Sequence, residues 1–297
     1  MGASKALHQI DWFTEWNTTI EKEKRFLQHQ AKQDSSALNA LLESHIPDKL
    51  QETLDTAFSK AFAVLFEKGV GVIEATYGKK KVRRAFTQKQ EAVKRTRAGR
   101  SALRAVSDGT AAAGGRNLVI SGVEGIGLGI LGIGIPDIPL FSGMLLRSLY
   151  EISSGYGFSY DGEKEQLFQL KLIEAAFSHG EALESANQAL DHYIGLHTWD
   201  EGESVKKQLP KTAACLSGEL LYMKFLQGIP IAGAVGGAYD IVYLKRLQKF
   251  ARLKYYKRYL LREKNNPRFY RLTKDDTTPE DLLPLSLGAY TEPKTDD

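Results

Sequence analysis

The stretch GVEGIGLGILGIGIPDIPLFSGMLLRSLYEISSGYG, from Gly122 to Gly157, constrains the fold more than any other part of the chain. Glycine alternates with Ile and Leu up to Pro136, the chain turns at Asp137-Ile138-Pro139, and apolar residues then recur at three and four. The glycines do not read as a nucleotide loop. No Lys-Ser or Lys-Thr follows them, as a Walker-type phosphate cradle requires. A dinucleotide fingerprint needs a helix directly after its last glycine, and Pro136 interrupts that. The run is also short for a membrane span: Gly125–Pro136 is about 12 uncharged residues and Phe225–Tyr239 about 15, against the ~20 that a spanning helix needs. Glycine on a helix surface lets two backbones approach closely. We therefore expect a buried apolar hairpin packed against the similar Gly233–Gly237 region, of a kind that could also enter a bilayer.

The rest of the chain reads as helices. Asp137 fits an N-cap, with Pro139 in the first turn where its missing N–H costs nothing. Ile138, Phe141, Leu145, Leu149, Ile152 and Tyr156 form one stripe, and Gly155 and Gly157 supply the stop. Asp161-Gly-Glu-Lys-Glu opens the next helix with acids at its positive end, and Leu167, Leu170, Ile173 and Phe177 give it an inner face. Between Leu7 and Leu42 there is neither proline nor glycine, so that run is helical as well. Leu50, Leu54, Ala57, Phe58, Ala61, Phe62 and Leu65 mark an amphipathic helix that Gly69 and Gly71 should end or kink. One helix follows Leu209-Pro210, and a long one follows Ile229-Pro230, small and apolar first and basic later.

No alternation of β-branched residues over strand length appears. The expected fold class is therefore all-α, a single multi-helix bundle with a central Gly-rich apolar helical hairpin. Residues 1–47 read as an N-terminal helical extension, 48–264 as the main helical domain, and 265–297 as an acidic, proline-dotted, exposed tail.

The net charge of +4, from 40 basic and 36 acidic residues, hides strong clustering. Lys79, Lys80, Lys81, Arg83 and Arg84 open a basic segment that continues to Arg104 with one acid, Glu91. Lys245, Arg246, Lys249, Arg252, Lys257 and Arg258 lie in a second segment, interleaved with Tyr243, Phe250, Tyr255, Tyr256 and Tyr259 as on interfacial helices. Both suit an anionic membrane surface, where each close base contributes about 1 kcal/mol. The same cations would suit nucleic-acid phosphates, yet no reading motif is present and the remainder of the chain is acidic, so no specific nucleic acid is expected. A solvated charged face, partly neutralised by the acidic tail, is the plain alternative. Cys215 is the single cysteine, which excludes an internal disulfide and suits a reducing compartment. The opening residues lack an apolar secretory core, and Ala6 stands where myristoylation wants Ser or Thr.

Three groups of residues invite chemistry. Asp137, Arg147 and Glu151 fall around one helix start. Arg147 and Glu151 are spaced for an ion pair that orients the turn, and the alternative is a carboxylate pair for hydrolytic or metal-dependent catalysis. His179, His192 and His197 crowd one acidic stretch, but without an HExxH spacing, so only tertiary folding could gather them around a metal. Cys215 sits among small and apolar residues, as a buried inert thiol does. No cofactor is expected.

The stretches GIPDIPLFSGMLLRSLYEISSGYGFS and IPIAGAVGGAYDIVYLKRLQKFAR resemble the EcsC family of bacterial proteins. The likeness covers roughly Leu50 to Arg262, and its most specific part is the Asp-Ile-Pro turn with Leu146-Arg147, Glu151-Ile152 and Tyr156-Gly157. The family's naming member is encoded beside an ABC transporter. The resemblance therefore implies a helical, cytoplasmic protein on the inner face of the cell membrane, beside a membrane transport complex, and it implies no chemistry.

Overall fold

The computed structural model describes residues 2–31, 48–75, 77–95, 103–108, 137–226 and 238–264. Among these residues there are nine α-helices and no strand: α1 (Gly2–Ala31), α2 (Asp48–Val64), α3 (Val70–Ala75), α4 (Lys79–Arg95), α5 (Asp137–Gly155), α6 (Glu163–Phe177), α7 (Gly180–Leu196), α8 (Val205–Leu226) and α9 (Ala238–Lys264). The chain is an all-α bundle. The glycine-rich run before Pro136, the Gly233–Gly237 region and the acidic tail lie outside the described residues.

Helix α6 lies at the centre of what is described. The sequence gives it one apolar face, with Leu167, Leu170, Ile173 and Phe177, and all four are buried. Its other sides are buried too, including Gln169 and Lys171, because α7, α8 and α9 pack around it. Lys171 ends at Glu203, 3.2 Å away, since a buried cation needs an acceptor.

Helices α5 and α9 run parallel. Phe141 meets Tyr243 (ring centroids 6.2 Å apart), Gln248 Nε2 donates to Ser148 Oγ (3.2 Å), and Tyr156 meets Tyr256 (6.0 Å). Helix α1 lies antiparallel along α9: Trp12 Nε1 donates to the carbonyl of Leu260 (2.9 Å), Tyr256 donates to Glu15 (3.2 Å), and Phe26 stacks on Phe250 (5.0 Å). The segment that reads as an extension thus contributes Trp12, Trp16 and Phe26 to the common core.

Three details differ from expectation or sharpen it. Gly69 and Gly71 do not stop α2: the chain widens into a π-turn, Leu65–Gly69, and continues as α3. The absent side chain of Gly69 leaves space for Leu65, whose Cδ2 would lie 2.9 Å from a Cβ there. Helix α8 starts before Pro210, at Val205, because Ser204 Oγ accepts from the N–H of Lys207 (3.3 Å) and caps it. Helix α5 starts at Asp137 and ends where the sequence puts its stop. Phe158 N–H donates to the carbonyl of Ser153 (2.9 Å) and Gly157 N–H to that of Ser154 (3.1 Å), with Gly157 at φ +73°. This is a Schellman end, which needs a left-handed residue.

Candidate functional site

The two basic segments fold into different settings. Helix α4 turns Val82 and Phe86 inward against the core and leaves Lys80, Lys81, Arg83 and Arg84 exposed. Phe86 sits edge-on to Tyr259 (6.4 Å) and beneath the Arg262 guanidinium (5.6 Å), and Gln90 donates to Glu263 (3.1 Å). The cationic face is therefore held on a packed helix. Lys79 is the exception in this group, since it donates to Glu74 (2.5 Å) beside Tyr160 and is half-buried.

Helix α9 divides its cations. Lys245 and Lys249 are exposed. Arg246 reaches Glu219 (2.7 Å), which also faces His179. Lys257 and Arg258 are buried and cannot meet a surface while the bundle is closed. Lys257 is held by Glu23 (2.7 Å) and Asp191 (2.6 Å), and the fully buried Lys254 joins the same two carboxylates. Burial opposes the charge on Asp191, but Lys254 and Lys257 hold its carboxyl below the ordinary value. Arg258 is clamped by Glu165 and lies between Phe158 and Phe168, each 4.4 Å from the guanidinium.

Sequence reading missed the partners Glu23, Glu165 and Asp191. Only Glu165 carried a signal, as an acid in a helix first turn. The reason the pairs exist is energetic: a buried charge is costly unless it is paired and hydrogen-bonded.

Arg147 and Glu151 are one turn apart on α5, yet among the described residues no ion pair within 4 Å joins them. The register of α5 on α9 brings Arg252 alongside, between the Ser148–Gln248 and Tyr156–Tyr256 contacts. Burial pushes the Glu151 carboxyl above its ordinary value, and the charges of Arg147 and Arg252 pull it back in part. The side chain of Asp137 lies outside the described residues.

The histidines are not gathered. His179 pairs with Glu219 (3.3 Å), with its Nδ1 3.2 Å from the Gln30 carbonyl. His192 pairs with Asp200 (3.2 Å), and His197 ends α7 at φ +58°. Among the described residues no group of three His, Cys, Asp or Glu side chains is placed to hold a metal ion. Cys215 lies against Ser178 Oγ (3.4 Å), and burial pushes its thiol up to about 12.

No described helix is long and apolar enough to cross a membrane. No curated protein and no solved structure matches the sequence. The sequence matches the EcsC protein family over residues 8–260, a span that takes in most of α1 and nearly all of α9. On the extent of that match, the chain belongs to the EcsC protein family.

Proposed function

We propose that this EcsC-family protein is a non-catalytic protein that docks peripherally on an anionic membrane surface, beside a membrane transport complex. The observation that carries the reading is the cationic face of α4. Lys80, Lys81, Arg83 and Arg84 point outward from a helix whose opposite side is anchored by Val82 and Phe86. Four bases on one rigid face supply about 4 kcal/mol at a negatively charged bilayer, enough for reversible attachment. Exposed Lys245 and Lys249 on α9 add positive charge. The buried Lys254, Lys257 and Arg258 belong to the scaffold instead.

Flotation with liposomes tests this. The protein should float with vesicles rich in anionic lipid at low salt, detach as salt rises, and stay behind with neutral vesicles. Failure to float with anionic vesicles at low salt removes the proposal.

A further inference from the structure

Helix α1 is held along one narrow seam. Its buried residues run Trp12, Trp16, Thr19, Glu23, Phe26 and Gln30, at alternating steps of four and three, and Glu15 joins them. That is the spacing of a two-helix seam. From Trp12 to Ala31 every other position is half-buried or exposed, and α1 packs chiefly on α9, at fewer points on α7.

The seam is charged where a core contact would be apolar. Glu23 holds both Lys254 and Lys257, the latter at 2.7 Å. Glu15 accepts from Tyr256 (3.2 Å) and from Arg104 (2.7 Å). Facing them, α9 carries Phe250, Lys254 and Lys257 at steps of four and three, with Tyr256 alongside and Lys264 over the Trp12 ring (5.0 Å). Buried ion pairs stabilise less than well-packed apolar side chains of the same volume, and polar residues in a helix seam weaken it while fixing its register. In the closed bundle Lys254 and Lys257 face Glu23 and Asp191, two charges against two. Without Glu23 only Asp191 opposes them, and that face carries one positive charge in excess. Cations interleaved with aromatic rings are the composition of a helix that lies on anionic lipid.

We propose that α1 is a displaceable cover, in which Glu15 and Glu23 occupy the place that an anionic lipid surface takes when α1 swings away from α9. This rests on the docking reading above and adds a second step to it. The exposed α4 face makes the first contact, and the lipid surface then competes with the two carboxylates for Lys254, Lys257 and Arg104. Gln30 is the hinge, at the end of α1 remote from Trp12: its Nε2 donates to the Ala176 carbonyl (2.7 Å) and its own carbonyl faces His179 Nδ1 (3.2 Å). The buried lysines serve the scaffold in the closed bundle and the membrane in the open one.

Spin labels on Asn17→Cys in α1 and Ser185→Cys in α7, both exposed positions, test this in the full chain with Cys215→Ser. Double electron–electron resonance reads the distance between them. On vesicles rich in phosphatidylglycerol it should lengthen by about 10 Å or more, one helix diameter, and in solution or with phosphatidylcholine vesicles it should not. Glu15→Gln with Glu23→Gln, which removes the competing charges, should bind the anionic vesicles roughly tenfold more tightly than wild type. The distance measurement keeps both carboxylates in place, so it does not depend on how well that variant folds.

A labelled chain that floats with anionic vesicles at an unchanged distance overturns the cover and leaves the α4 reading standing. A chain that does not float overturns both. Lengthening with no gain in the double glutamine variant overturns the part given to the two carboxylates.

Discussion

Arg258 meets Glu165 fork to fork across 93 positions of chain, with Nη1 and Nη2 each 3.0 Å from a separate carboxylate oxygen. Tyr255 donates to the same carboxylate (2.6 Å), so Glu165 at the head of α6 ties that helix to α9. Replacing Arg258 by Ala strands a buried carboxylate and should cost about 3–5 kcal/mol in urea unfolding. Arg258→Lys should recover only part of this, because lysine neither forks nor stacks between Phe158 and Phe168. Equal stability of the lysine variant and the wild type would show that the fork does not matter.

The pair of lysines on Glu23 and Asp191 predicts an acid sensitivity. Asp191 has its folded value below the ordinary 3.8. Its stabilisation is therefore present above the unfolded value and is lost as pH falls through the folded one. Asp191→Asn should unfold at lower urea than wild type at pH 7, and the gap should close below about pH 4. A gap that persists undiminished into strong acid would contradict the assignment.

Glu151 has the opposite sign. Burial raises its folded value above the ordinary 4.5, so the folded state binds its proton more tightly and the ionised group destabilises at neutral pH. Glu151→Gln should raise stability at pH 7, and the advantage should fade as acid protonates the wild-type residue. Thermal melts across pH measure it.

Gly157 combines a left-handed backbone with the Phe86 ring lying where a side chain would go. Gly157→Ala should cost roughly 1–3 kcal/mol, from backbone strain plus displacement of Phe86. It should also loosen α4, read as faster amide exchange in that helix.

Removing the α4 charges by Lys80→Gln, Lys81→Gln, Arg83→Gln and Arg84→Gln together should weaken liposome binding on the order of a thousandfold, at about 1 kcal/mol per base. The melting temperature should barely change, since these side chains are exposed. Lys257→Gln should do the reverse, lowering stability more than affinity.

Much of the helix pattern was legible because it is local. Ile138, Phe141, Leu145, Leu149, Ile152 and Tyr156 sit at spacings that only a helix turns to one side, and all are buried. The stop at Gly157 was legible for the same reason. The fate of the basic residues was not: Lys257 and Lys249 look alike in sequence, and what separates them is Glu23, 234 positions from Lys257. Nor does spacing reveal that the charge of Arg252 acts on Glu151, which depends on the register of α5 against α9. Spacing left open whether Gly69 ends or kinks the helix, because a glycine that breaks a helix and one that makes space for Leu65 look identical until the neighbour is known.

The hydrogen bond from Trp12 to Leu260 spans 248 positions. Ribosomes release a chain from its start, at about 5–20 residues per second. The first helix thus emerges well before its binding groove exists, carrying Trp12, Trp16 and Phe26 with nothing to cover them. Maturation of this protein is a closing of the ring, and the interval before α9 arrives is when a chaperone has most to do.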